Sequence, residues 1–348
     1  MKYLPKYWRI SVTALLISIS FFSCVEAFEP VPALNQQGIE IPKGFPDIQF
    51  PEDNTFTKER WELGKKLFYD PILSLDSTKS CNSCHKQQFA FSDNLAFSNG
   101  VQNRPGTRNS PSLANVAYHP YYTREGGVPT LEMQILVPIQ EHNEFDFNIL
   151  LAQERLQRIP DYVELSKMAY DREPNYFVIT RALATFERSL ISGNSAYDKF
   201  KFDNQENALT KREKKGMELF FSERIGCGNC HSGINFTNYT FENNGLYEQY
   251  TDEGRRRLTG KDEDNGLFKV PSLRNVEFTA PYMHDGSIET LEDVIEHYNE
   301  GGEDFENKSR LIKPLNLSEK EKSQLLAFLI ALSDYSFINQ EEFFKNEN

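Results

Sequence analysis

Two pentapeptides of one plan, Cys81-Asn82-Ser83-Cys84-His85 and Cys227-Gly228-Asn229-Cys230-His231, leave this chain few folds to choose from. Two thiols about one helical turn apart can add to both vinyl groups of a single porphyrin. The His that follows then lies under the iron and offers an imidazole nitrogen as proximal ligand. One copy alone also suits a thiol redox pair or half a zinc site. Both copies end in His, and the chain begins like an exported one, which selects two covalently bound haems c. The cofactor-binding residues are therefore Cys81, Cys84, His85, Cys227, Cys230 and His231.

The repetition extends beyond the motifs. Residues 62–85 (ELGKKLFYDPILSLDSTKSCNSCH) parallel residues 214–231 (KKGMELFFSERIGCGNCH), with Gly64, Leu67 and Phe68 opposite Gly216, Leu219 and Phe220. Residues 111–132 (PSLANVAYHPYYTREGGVPTLE) match residues 271–292 (PSLRNVEFTAPYMHDGSIETLE) without a gap, at an offset of 160. Helical patterning surrounds both copies, and strand alternation is scarce. The expected fold is mainly α: two cytochrome c-like haem domains related by internal duplication, at 55–205 and 206–348. Thr57 is placed to cap a first helix carrying Trp61, Leu63, Leu67 and Phe68 on its buried side. A buried helix is expected over 178–191, a new one from Leu209-Thr210, and a last one over 318–332. That last helix opens with a capping box from Ser318 to Glu321.

Residues 1–23 read as an export signal, with Lys2, Lys6 and Arg9 before a short apolar core at 10–22. The core falls short of the roughly 20 residues a membrane span needs. Four of the five cysteines lie in the motifs, and the fifth, Cys24, ends the apolar run. Ser23-Cys24 suits lipoprotein cleavage with a lipid on Cys24, and cleavage near Ala27 is the alternative. Either way the chain works outside the cytoplasm, in the periplasm, with a possible lipid anchor. Residues 24–54 hold several prolines and read as an extended tether. The formal charge of −13 disfavours nucleic acid. It suits a basic or dipolar partner such as a small electron carrier, or serves solubility.

With the two haem motifs, the PSL-N blocks and the tract TAPYMHDG at 279–286, the sequence resembles the bacterial dihaem cytochrome c peroxidases, and within them the MauG-like branch. The resemblance covers roughly residues 55–335. It implies hydrogen peroxide as oxidant and one calcium ion between the domains, held by Asn109, Thr279 and Pro281. It also implies a distal Glu and Gln, which match Glu144 as acid–base and Gln134 as the group that positions peroxide. Glu141 and His142 are the fallback candidates.

The repeat separates the roles of the irons. At the offset of 160, Pro138 matches Tyr298, and the family pattern places this position opposite the proximal His. Proline has no ligand atom, whereas Tyr is an accepted haem ligand. The first iron (His85) is thus expected open, and the second closed by His231 and Tyr298, with Met283 as the alternative ligand. Many relatives carry a His above the first haem, where this chain has Val101. The family often has Trp-Asp-Gly where this chain has Arg124-Glu125-Gly126, which leaves Tyr121 and Tyr122 as candidate stepping stones between the haems. The leading function is an exported peroxidase fed by a small cytochrome c or copper protein. The alternative is a MauG-like oxidase acting on a protein substrate, and a non-enzymatic electron carrier ranks third.

Overall fold

The computed structural model describes residues 39–344. The export signal, Cys24 and the first part of the tether lie outside the described residues. Two hydrophobic clusters organise the rest, one around each motif. Each cluster is built on a pair of crossed helices.

In the first half, helix Lys58–Tyr69 crosses helix Tyr176–Arg188. Thr57 caps the former by accepting from Arg60 N, which satisfies one of the free amides of its first turn. Trp61, Leu63, Leu67 and Phe68 are all buried, as a face of period 3.6 requires. The crossing point is Gly64. A Cβ there would lie 1.9 Å from the Ala182 carbonyl oxygen, so only glycine allows this approach. The second half repeats the arrangement with helices Lys211–Phe220 and Glu319–Ile330. Both of these begin with capping boxes, Thr210 with Glu213 and Ser318 with Glu321. A Cβ on Gly216 would lie 2.0 Å from the Gln324 carbonyl. Phe186 and Phe328 stand beneath the two glycines as equivalent buried rings.

The gapless blocks fold alike. Asn115 and Asn275 both take the left-handed conformation, at φ 62° and 60°, which Asn tolerates better than most residues. Tyr122 donates from its hydroxyl to Val116 O, and Tyr282 does the same to Val276 O. Thr130 and Thr290 each cap the helix that follows. There the copies diverge. The second-half helix runs unbroken over Leu291–Glu300, whereas the first is split into Leu131–Gln134 and Leu136–Gln140. Pro138 supplies the reason, since it cannot donate to the Gln134 carbonyl and its ring crowds that oxygen.

The halves are stitched together across their seam. Asp198 and Arg274, both buried, pair through two hydrogen bonds of 2.8 Å. Asn115 donates to Asn235 Oδ1 at 3.0 Å. The described part of the tether contributes too: Phe45 packs edge-on against Tyr118 and Phe202, and Arg274 lies over its ring. After helix Glu319–Ile330 the chain leaves the second cluster. Phe337 and Phe343 bury themselves in the first, and Tyr69 donates its hydroxyl to Phe343 O at 2.6 Å. The C-terminal segment was expected with the second unit, and its side chains complete the first. No helix among the described residues is long and apolar enough to cross a membrane.

Candidate active site

The two attachment motifs present the same chemistry. Cys81–Cys84 form one helical turn, started by a Ser80–Ser83 capping box, and Cys227–Asn229 form a tighter turn. In each, the His amide donates to the first Cys carbonyl at 2.9 Å, which brings the imidazole back under its thiols. His85 Nδ1 is bonded to Phe91 O at 2.9 Å, and His231 Nδ1 to Phe236 O at 2.9 Å. That bond fixes each ring and leaves Nε2 as the free nitrogen, the usual arrangement of a metal-bound His. Burial lowers the pKa of both rings, so they are neutral and able to ligate. All four thiols are unpaired, and burial pushes Cys84 up to about 11 and Cys227 up to about 12. Paired free thiols with a tethered, neutral imidazole fit a haem c in each half.

Glu144 reaches the first motif from a loop held in place by backbone contacts. Its carbonyl accepts from Val101 N at 2.8 Å, and the Phe145 amide donates to Pro138 O at 3.1 Å. Gly100 makes room, because a Cβ there would lie 2.1 Å from Asn143 O. Burial, and then the neighbouring charge of Glu141, push the Glu144 carboxyl up to about 7. Its charge is felt at both Cys81 and Cys84, which puts it beside the first haem site. Gln134 has a buried Oε1 with no hydrogen-bond partner, a group that awaits one. Val101 is fully buried and offers no ligand atom. The fallback candidates lie outward: Glu141 is exposed, and His142 pairs with Asp146 at the surface.

In the second half Tyr298 lies close enough to feel Cys227 and Cys230, and burial pushes its phenol up to about 12 against a hydrogen bond with Asn244. The Asn244 amide also donates to Met283 Sδ at 3.2 Å. The two candidate ligands of the second iron therefore share one side-chain neighbour. His284 stacks on Phe268 at 4.2 Å.

Between the halves, Tyr121 stacks on Phe241 at 5.4 Å and donates to Tyr239 O. Tyr122 stays in the first core. His119 bridges them, its ring 6.2 Å from Tyr122 and 5.2 Å from Tyr239, and burial depresses its pKa to about 3. At the residues expected to hold calcium, Asn109 O accepts from Arg124 Nη2 at 2.6 Å and from Nε at 3.2 Å. Reasoning from sequence missed Glu187. This buried acid on helix Tyr176–Arg188 is pushed up to about 8 by burial, and its charge also reaches Cys81. The register of the crossed helices sets it opposite Leu329, so a carboxyl where the other copy has leucine was the available signal.

The sequence profile of the di-haem cytochrome c peroxidase family matches residues 58–207. The methylamine utilization protein MauG of Methylorubrum extorquens is 36% identical over 289 residues, covering 82% of this chain and 81% of that protein. A cytochrome-c peroxidase of Pseudomonas sp. (strain SCT), IdrP1, is 32% identical over 83% of this chain and 84% of its own. Among solved structures, a MauG-like protein associated with microbial copper homeostasis superposes with a TM-score of 0.83 at 34% identity, over 88% of this chain and 98% of that one. These likenesses define a mainly helical, two-haem oxidoreductase of the cytochrome c peroxidase type. The chain belongs to the di-haem cytochrome c peroxidase family.

Proposed function

We propose that this protein reduces hydrogen peroxide to water in its first half, with electrons entering through its second half from a small redox protein. The observation that carries this reading is the half-buried carboxyl of Glu144, held near neutrality beside Cys81 and Cys84. A haem held by Cys81, Cys84 and His85 would supply an iron reactive toward peroxide and a store of electrons. The chain's own task is the proton. Two electrons and two protons convert one peroxide to two waters, and O–O cleavage is eased when the proton leaves the near oxygen and arrives on the far one. Glu144 would accept it and deliver it. Gln134 Oε1, without a partner in the fold, would accept a hydrogen bond from peroxide and orient it. Pro138, which has no ligand atom, would leave the first iron open. Tyr298 would close the second iron, while Met283 has its sulfur engaged by Asn244.

Tyr298 also favours a second reading, the MauG-like one, in which peroxide drives the oxidation of a partner protein. Arg124 in place of the family Trp weighs against a hole-hopping route of that kind, because guanidinium is not oxidised in this way. A plain electron carrier has no use for a carboxyl beside an open iron. The same reading places the chain in the periplasm, anchored through a lipid on Cys24. Steady-state peroxide turnover with reduced cytochrome c or a copper protein is the test. Fast turnover is expected, and turnover no faster than that of free haem c would sink the peroxidase reading.

A further inference from the structure

The seam between the halves carries an unusual concentration of side-chain cations. Arg108, Arg124 and Lys269 meet there, in a chain whose formal charge is −13. The acids nearby are engaged. Asp252 takes two bonds from Arg108, at 2.6 and 2.8 Å, and Glu125 takes another from the same guanidinium. Asp285 accepts from the Tyr247 hydroxyl at 2.6 Å. Arg124 differs from Arg108. Among the described residues its guanidinium hydrogen-bonds to the two oxygens of Asn109: the carbonyl, from Nη2 at 2.6 Å and Nε at 3.2 Å, and Oδ1, from Nη2 at 3.2 Å.

Those oxygens are aimed. Asn109 is buried, its amide N–H goes to His284 O at 2.9 Å, and its side-chain Nδ2 goes to Leu95 O at 3.1 Å. With both nitrogens tied away, both oxygens are left for a cation. Arg124 is fastened from the other half as well, since its carbonyl accepts from Lys269 N at 2.7 Å. A calcium ion needs six to eight oxygens at close range, with about 2.3–2.6 Å to each. At Asn109 it would have to displace guanidinium N–H groups and then sit beside a fixed positive charge. Asn109, held by Arg124, therefore does not fit its part in the calcium site that the family resemblance assigns to Asn109, Thr279 and Pro281.

We propose that the Arg124 guanidinium is the built-in cation of this seam, taking the Asn109 oxygens in place of calcium and so tying together two first-half loops whose backbones are each bonded to the second half, at Lys269 N and His284 O. The substitution of Arg for the family Trp then has a structural consequence of its own. Burial, and then Arg108, bring Arg124 down to about 10, which leaves it charged at neutral pH. The proposal concerns metal content and stability, so it stands or falls apart from peroxide turnover.

The test uses the two-haem holoprotein, passed through gel filtration in calcium-containing buffer and then assayed for calcium by elemental analysis. No stoichiometric calcium is expected, and EGTA should leave the ferric haem spectra and melting temperature unchanged. Arg124→Gln should melt roughly 5 °C lower, and added calcium should raise its melting temperature while leaving the wild type unmoved. One calcium retained per wild-type chain, an EGTA-induced change in its spectra, or an Arg124→Gln variant that melts with the wild type would each overturn the proposal. If Arg124→Gln does not fold, the wild-type calcium content and chelator response decide alone.

Discussion

Below the haem sites the two halves are near copies, and above them they part. Each half crosses two helices at a glycine, ties its proximal His to a backbone carbonyl at 2.9 Å, and turns through a left-handed Asn. On the opposite side, the first half has a helix interrupted at Ile135, just before Pro138, with the Glu144 loop following, and the second has an unbroken helix ending near Tyr298. The contrast teaches that a duplicated scaffold can be kept for its packing while function diverges over one helical turn and one loop. Packing constrains the crossed helices through close contact at every turn.

The largest effect expected comes from removing one attachment site. Cys227→Ala with Cys230→Ala should leave a single covalent haem and abolish turnover supported by a protein donor, as read by mass and by haem stain after denaturation. Two haems remaining on the denatured double variant would break the equivalence of the motifs. Next comes Glu144→Gln, which keeps the shape and removes the base. Reaction with peroxide should slow on the order of 10²-fold or more, with Glu141→Gln near wild type. Equal rates for Glu144→Gln and wild type would return Glu144 to an ordinary loop acid.

A subtler effect is the pH profile. A carboxyl raised to about 7 is protonated below that pH and cannot act as a base there. Peroxide consumption should therefore rise as pH increases through 7 and then level off, and the rising limb should vanish in Glu144→Gln. The smallest effect sharpens the comparison of scaffolds. Gly64→Ala and Gly216→Ala each force a methyl onto a carbonyl, and each should cost about 1–3 kcal/mol by chemical denaturation. A cost confined to one of them would show that the crossings are not equivalent.

Much of this was legible in the sequence. The haem motifs, the caps at Thr57, Thr210 and Ser318, and the gapless repeat all depend on local chemistry that a sequence displays. Residues whose meaning depends on a distant partner were not legible. Phe337 and Phe343 lie in a stretch too short for periodicity to show that they cap the first core. Glu187 looks like one more acid on an amphipathic helix until its neighbours exclude water. Arg124 could be read as a missing Trp, but its hold on Asn109 depends on a fold around both.

The division of labour between the irons is most directly tested by electron paramagnetic resonance of the resting ferric protein, with near-infrared absorption recorded alongside. The account predicts one high-spin haem that binds cyanide readily and one six-coordinate haem that does not. Tyr298→Phe should alter only the second. A methionine–iron band in the near infrared of the wild type would assign Met283 as the ligand. Two haems with matching spectra, both unmoved by Tyr298→Phe, would contradict the reading of Pro138 and Tyr298 on which the account rests.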